Sequence, residues 1–152
     1  MTAKPSAAVI RAWARLVRAE QAVLGAIELE LKEAGCPPLG WYDVLLELTR
    51  APERRLRPLE IERQTLLPQY SLSRLLDRLE GEGLIARERC DLDGRGQWIV
   101  LTDAGRALQA RMWKVYARAI QRHVGDKLNE KSATALGDLL GQLIVPAPAD
   151  AP

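Results

Sequence analysis

A mainly helical fold carrying one small β-hairpin is what this chain of 152 residues predicts. Three observations carry that prediction. Long stretches repeat their apolar residues at three- and four-residue steps, the period of a helix buried along one side. The stretch 86–101 instead reads as two strand arms around Asp93-Gly94-Arg95-Gly96, whose glycines supply the positive φ of a tight turn. That hairpin follows a helix ended by Gly81 and Gly83, and it precedes Thr102, a residue suited to cap another helix. Helix, turn, helix, hairpin and helix in that order is the pattern of a winged helix-turn-helix.

The elements follow from local signals. Ile10, Trp13, Val17, Leu24, Ile27 and Leu31 mark a long amphipathic helix from about Ala7 to Ala34. Gly35 is a natural C-cap, and Pro37-Pro38 prevents continuation. A second helix spans about Leu39–Arg50, and a charged connection runs from Ala51 to Arg57. Pro58 fits the first turn of a third helix, to about Thr65. After Leu66-Leu67-Pro68 a fourth helix spans Gln69–Gly81. Its Leu72, Leu75, Leu76 and Leu79 form one buried stripe, opposite Tyr70, Arg74 and Asp77. Leu84-Ile85 begins a strand; 86–91 and 97–101 are the hairpin arms. The fifth helix carries Leu108, Met112, Tyr116, Ile120 and Val124 on one side. Asn129 caps a sixth, with Leu136, Leu139, Leu140 and Leu143 apolar. Pro- and Ala-rich residues 146–152 suggest a disordered tail.

Composition sets bounds. The apolar share, 47%, supports a real core without cross-links. No apolar run approaches the length that spans a bilayer, and the start lacks the charged-then-apolar pattern of a secretion signal. Cys36 and Cys90 have no CxxC or histidine partner, which fits a reduced, cytoplasmic protein. Small apolar filler is the default for both; a redox switch is the rival reading. With one histidine, no nucleophile motif and no Gly-rich phosphate loop, neither an enzyme nor a metal or other cofactor is expected. The net charge of +2 says little about partners, because a nucleic-acid binder needs a local basic surface rather than a basic total.

With these residues laid out, the chain resembles the MarR family of bacterial transcriptional regulators. The resemblance rests on Ser73-Arg74 and Asp77-Arg78-Leu79-Glu80 in the fourth helix, then Gly83-Leu84-Ile85 and Arg87. The turn Asp93-Gly94-Arg95 and Leu101-Thr102 with Gly105 complete it. It covers about Leu39–Leu108 well and the flanking helices by pattern. Pro68-Gln69-Tyr70 departs from the small polar residues usual at the start of a recognition helix. The resemblance implies a homodimer built from the terminal helices, a major-groove recognition helix and a wing entering the minor groove. The expected divisions are a helical dimerisation region at 1–34 and 106–145, and a DNA-binding lobe at 35–105.

The residues expected at double-stranded DNA are Gln69, Tyr70, Ser71, Ser73, Arg74 and Arg78 on the fourth helix, with Arg87, Arg89, Arg95 and Gln97 in the wing. The resemblance implies that Arg95 is the wing arginine, suited to a narrow minor groove, with a solvated turn arginine as the rival reading. Arg74 suits guanine or phosphate. Gln69, Ser71 and Ser73 suit phosphates, with helix capping as the rival reading. Asp77 would repel phosphate unless it pairs with an arginine, Arg87 or Arg89. Arg54, Arg55 and Arg57 form a basic run that reads first as a solvated loop.

Family members bind anionic aromatic compounds between the dimer helices and the reading lobe. Trp13, Arg15, Trp41, Tyr42, Trp113 and Tyr116 are the corresponding candidates here, with ordinary core packing as the rival. The expected function is a sequence-specific, homodimeric repressor on a palindromic operator, released by a small aromatic or anionic effector. The alternative is a winged-helix protein-interaction module that does not read DNA.

Overall fold

The computed structural model describes residues 2–65, 67–90 and 96–144, with only the backbone of Cys90. The helices are α1 (Ala7–Glu33), α2 (Leu39–Arg50), α3 (Pro58–Gln64), α4 (Gln69–Gly81), α5 (Asp103–Ile120) and α6 (Glu130–Gly141). The strands are β1 (Arg55–Leu56), β2 (Ile85–Cys90) and β3 (Gly96–Leu101). The class is the expected one, mostly helical with a small antiparallel sheet. The chain divides into two compact units. One is Ile27–Ala117; the other joins the segment up to Ala26 to the segment from Arg118.

The first unit holds the main core. Leu31, Val44, Leu45, Leu48, Ile61, Leu79, Ile99 and Met112 are sealed from solvent, each contributing about 1.5–3 kcal/mol by burial. Leu72 and Leu76 join Leu79 along the buried stripe of α4, with Leu75 half-buried beside them. Glycines end two of the helices as expected. Gly35 (φ 75) and Gly83 (φ 71) adopt the left-handed conformation that lets Cys36 and Leu84 donate back to Leu31 O and Leu79 O, both at 2.9 Å. The N-terminus of α2 is closed from α1, since the Leu39 N–H donates to both Glu28 carboxylate oxygens, at 3.0 and 3.2 Å.

The sheet departs from a simple hairpin. Its order is β1-β3-β2, so β3 is central. The charged connection 51–57 therefore contains a strand, with Arg55 opposite Val100 and Leu56 opposite Ile99. Leu56 is buried, which anchors this two-residue strand despite its arginine neighbours. Before it, Glu53 and Arg54 turn the chain with φ of 56 and 54, conformations that non-glycine residues rarely adopt. The wing turn Asp93-Gly94-Arg95 and the tail 146–152 lie outside the described residues.

In the second unit, α5 stops sooner than its apolar pattern suggests. Val124 falls instead in a π turn, Gln121–Gly125, where the Asp126 N–H donates five residues back to Gln121 O at 2.7 Å. The cap of α6 is as expected: Asn129 Oδ1 accepts from the Ser132 N–H at 2.8 Å. Val9, Ile10 and Trp13 on α1 are exposed in this unit, as are Leu136 and Leu139 on α6 and Leu143 and Ile144 beyond it.

Candidate nucleic-acid interface

Burial of the leucine stripe decides which face α4 shows. Tyr70, Ser73, Arg74, Asp77 and Arg78 are exposed, and Ser71 is half-buried. Pro68 stands at the N-cap and no side chain caps this end, so Gln69, Ser71 and Ser73 are not spent on capping. The Arg74 guanidinium lies 5.9 Å from the centre of the Tyr70 ring, one helical turn away. That contact holds the arginine along the exposed face.

The wing strand β2 is tied to this helix by one side chain. Arg87 donates through one terminal nitrogen to Asp77 Oδ1 at 2.8 Å and through the other to Glu80 Oε1 at 2.7 Å. Burial opposes the charge on Arg87, but its hydrogen bonds to the two carboxylates and their negative charges outweigh it and raise the guanidinium pKa. Of the two partners that the sequence offers for Asp77, the structure has Arg87. Arg89 is exposed and sits opposite exposed Gln97 across the β2–β3 ladder. Arg95 lies outside the described residues.

Two arginines that read as solvated loop are organised by the third strand. The guanidinium carbons of Arg55 and Arg57 lie 4.6 and 4.9 Å from the Trp98 ring centre. Arg55 also pairs with Glu53 at 2.7 Å. The sequence signal was faint, since the pairing of β1 with β3 brings these residues together across distant chain.

The end of the wing is knotted to the start of α5. The Thr102 hydroxyl donates to Gly83 O at 2.7 Å and accepts from the Gly105 N–H at 3.1 Å. It thereby caps α5 and fixes the turn after α4. Gly105 sits so close that a Cβ there would overlap the Leu84 carbonyl oxygen.

Residues 35–96 of this arrangement match the protein-family model described as MarR family. Over those residues the lobe is similar to the MarR family. Solved structures extend the likeness along the chain. Sco3205, a MarR family transcriptional regulator from Streptomyces coelicolor solved in complex with DNA, is 27% identical. Its TM-score is 0.85, over 99% of this chain and 97% of that one. A mutant MarR from E. coli complexed with operator DNA is 22% identical, with a TM-score of 0.77 over 90% of this chain and 96% of that one. BpsR of Bordetella bronchiseptica, described with regulation of its DNA binding by 6-hydroxynicotinic acid, is 22% identical. Its TM-score is 0.77, over 88% of this chain and 98% of that one. At such identities the last two speak to the fold alone. No curated protein matches the chain by sequence.

The unit Ile27–Ala117 also holds an aromatic cluster. The Tyr42 ring lies 6.2 Å from Trp113, nearly parallel, and 5.1 Å edge-on from Tyr116; Trp113 and Tyr116 meet edge-on at 5.8 Å. Tyr42 is buried, Tyr116 half-buried and Trp113 exposed. Burial raises the pKa of both tyrosines, and the charges of Asp43 and Glu28 push Tyr116 the same way. Trp41 is half-buried on α2, while Trp13 and Arg15 are exposed and belong to the other unit. Cys36 is a half-buried free thiol. Among the described residues no acidic, histidine or cysteine cluster could hold a metal, and no helix is long and apolar enough to cross a membrane.

Proposed function

We propose that this chain is a cytoplasmic, homodimeric regulator of transcription that binds double-stranded DNA and represses from a palindromic operator. The observation that carries the reading is the exposed face of α4. Its leucines are buried, and its Tyr70, Ser73, Arg74 and Arg78 stand free of the core beside a wing strand tied to the same helix. A helix of this kind fits the major groove, with arginine the commonest reader of guanine. Gln69 and Ser71 lie at the uncapped helix end, where phosphates are favoured. Arg95 would enter the minor groove from the wing, with Arg89 and Gln97 along the backbone.

The likeness to Sco3205, solved with DNA, supports the same reading. The Tyr42, Trp113 and Tyr116 cluster, with Trp41, is where we place a small aromatic effector. The exposed apolar residues of α1 and α6 suit pairing with a second copy.

One observation favours a second reading. The two arginines of α4 are balanced by its own Asp77 and Glu80, so a winged-helix protein-interaction module is the alternative. Fluorescence anisotropy with the intergenic DNA upstream of the gene, across a salt series, separates the two. A regulator binds that DNA better than scrambled DNA, loses affinity steeply with salt, and is weakened by Arg74→Ala and by Arg95→Ala. An interaction module binds weakly and is indifferent to sequence and to both substitutions.

A further inference from the structure

We propose that Arg87 is a positioning residue that shields DNA from the reading helix's own carboxylates, rather than a residue that grips the duplex. The inference rests on the DNA-binding reading of α4 and deepens it. Helix α4 carries Arg74 and Arg78 against Asp77 and Glu80, so by itself it brings no net charge to a phosphate-lined groove. Glu82 follows just beyond its end and tips the balance to negative. Both carboxylates are well exposed, at 70% and 44% of their side-chain surface. Unpaired, they would face a polyanion with little to screen them.

Arg87 answers both at once. Its two terminal nitrogens reach separate helical residues at 2.7 and 2.8 Å, the short distances of charge-assisted bonds. Only 23% of its side chain is exposed, so the guanidinium is largely occupied within the lobe. A lysine could not serve as well, because one ammonium cannot span two acceptors with the same planar fork. The fork also fixes where Asp77 and Glu80 point, drawing them toward β2 and leaving Arg74 and Arg78 as the uncompensated cations of the face.

The test compares four proteins on the same DNA: wild type, Arg87→Gln, Asp77→Asn/Glu80→Gln, and the triple variant. Each is measured by anisotropy across salt, with thermal melting as the control for folding. Arg87→Gln is expected to bind about tenfold more weakly, since it leaves two carboxylates uncompensated. The triple variant, which removes those charges too, is expected to return to near wild-type affinity with an unchanged salt slope.

Three results overturn the proposal. Arg87→Gln binding like wild type shows that no shielding is needed. A triple variant as weak as Arg87→Gln, with the salt slope shallower by about 0.9, makes Arg87 a direct phosphate ligand. Wild type failing on every DNA tried removes the DNA-binding reading itself, and this inference with it.

Discussion

Gly105 shows how one missing methyl group shapes the site. The backbone at the start of α5 touches the Leu84 carbonyl, which itself accepts from the Thr102 N–H at 3.1 Å. Gly105→Ala forces this junction apart and is expected to destabilise the lobe by on the order of 1–3 kcal/mol or more, as other overpacked cores do. Denaturant unfolding measures it. Asp43 is the other residue with a definite consequence. Burial, then the nearby Glu28 and Glu47, hold its carboxyl above the ordinary range. The folded chain therefore binds that proton more tightly than the unfolded chain. Stability is lost as pH rises through the window above the ordinary value, and stays lost at neutral pH. Asp43→Asn is expected to raise the melting temperature at pH 7, and to give no such gain well below 3.8, where both states are protonated.

Helix α4 was legible residue by residue, because a four-leucine stripe, an opening proline and closing glycines all agree on its bounds. Leu79 is fully buried in that stripe, and Leu79→Ala is expected to cost about 2–5 kcal/mol in thermal or denaturant unfolding. Strand β1 was not legible. Two residues, one of them arginine, carry no period of their own, and only the distant partner β3 makes them a strand. The placement of Arg55 and Arg57 over Trp98 was hidden for the same reason. The π turn after α5 was hidden too, since Val124 continues the apolar spacing while the backbone has already changed its hydrogen bonding. At the site, Asp77 announced its need for an arginine. The second contact, to Glu80, depends on the three-dimensional approach of β2 to α4.

At the scale of the whole molecule, the segments outside the unit Ile27–Ala117 present apolar residues to solvent: Trp13 at 66%, Leu139 at 60% and Leu143 at 66%. Such a surface is costly for a lone subunit. Light scattering is expected to give twice the 16.9 kDa chain mass at micromolar concentration, and Trp13→Glu with Leu139→Glu is expected to shift it toward the single mass.

The strand order β1-β3-β2 bears on how the chain comes off the ribosome. The middle strand is the last of the three to be made, so α3, α4 and β2 all emerge before Arg55 and Ile85 have anything to pair with. Until Gly96–Leu101 arrives, two strand edges and the face that will cover Ile99 stay open to other nascent chains. The sheet therefore cannot close until β3 is made, and a chain stalled within the wing would present a ready template for aggregation rather than a partly working reading head.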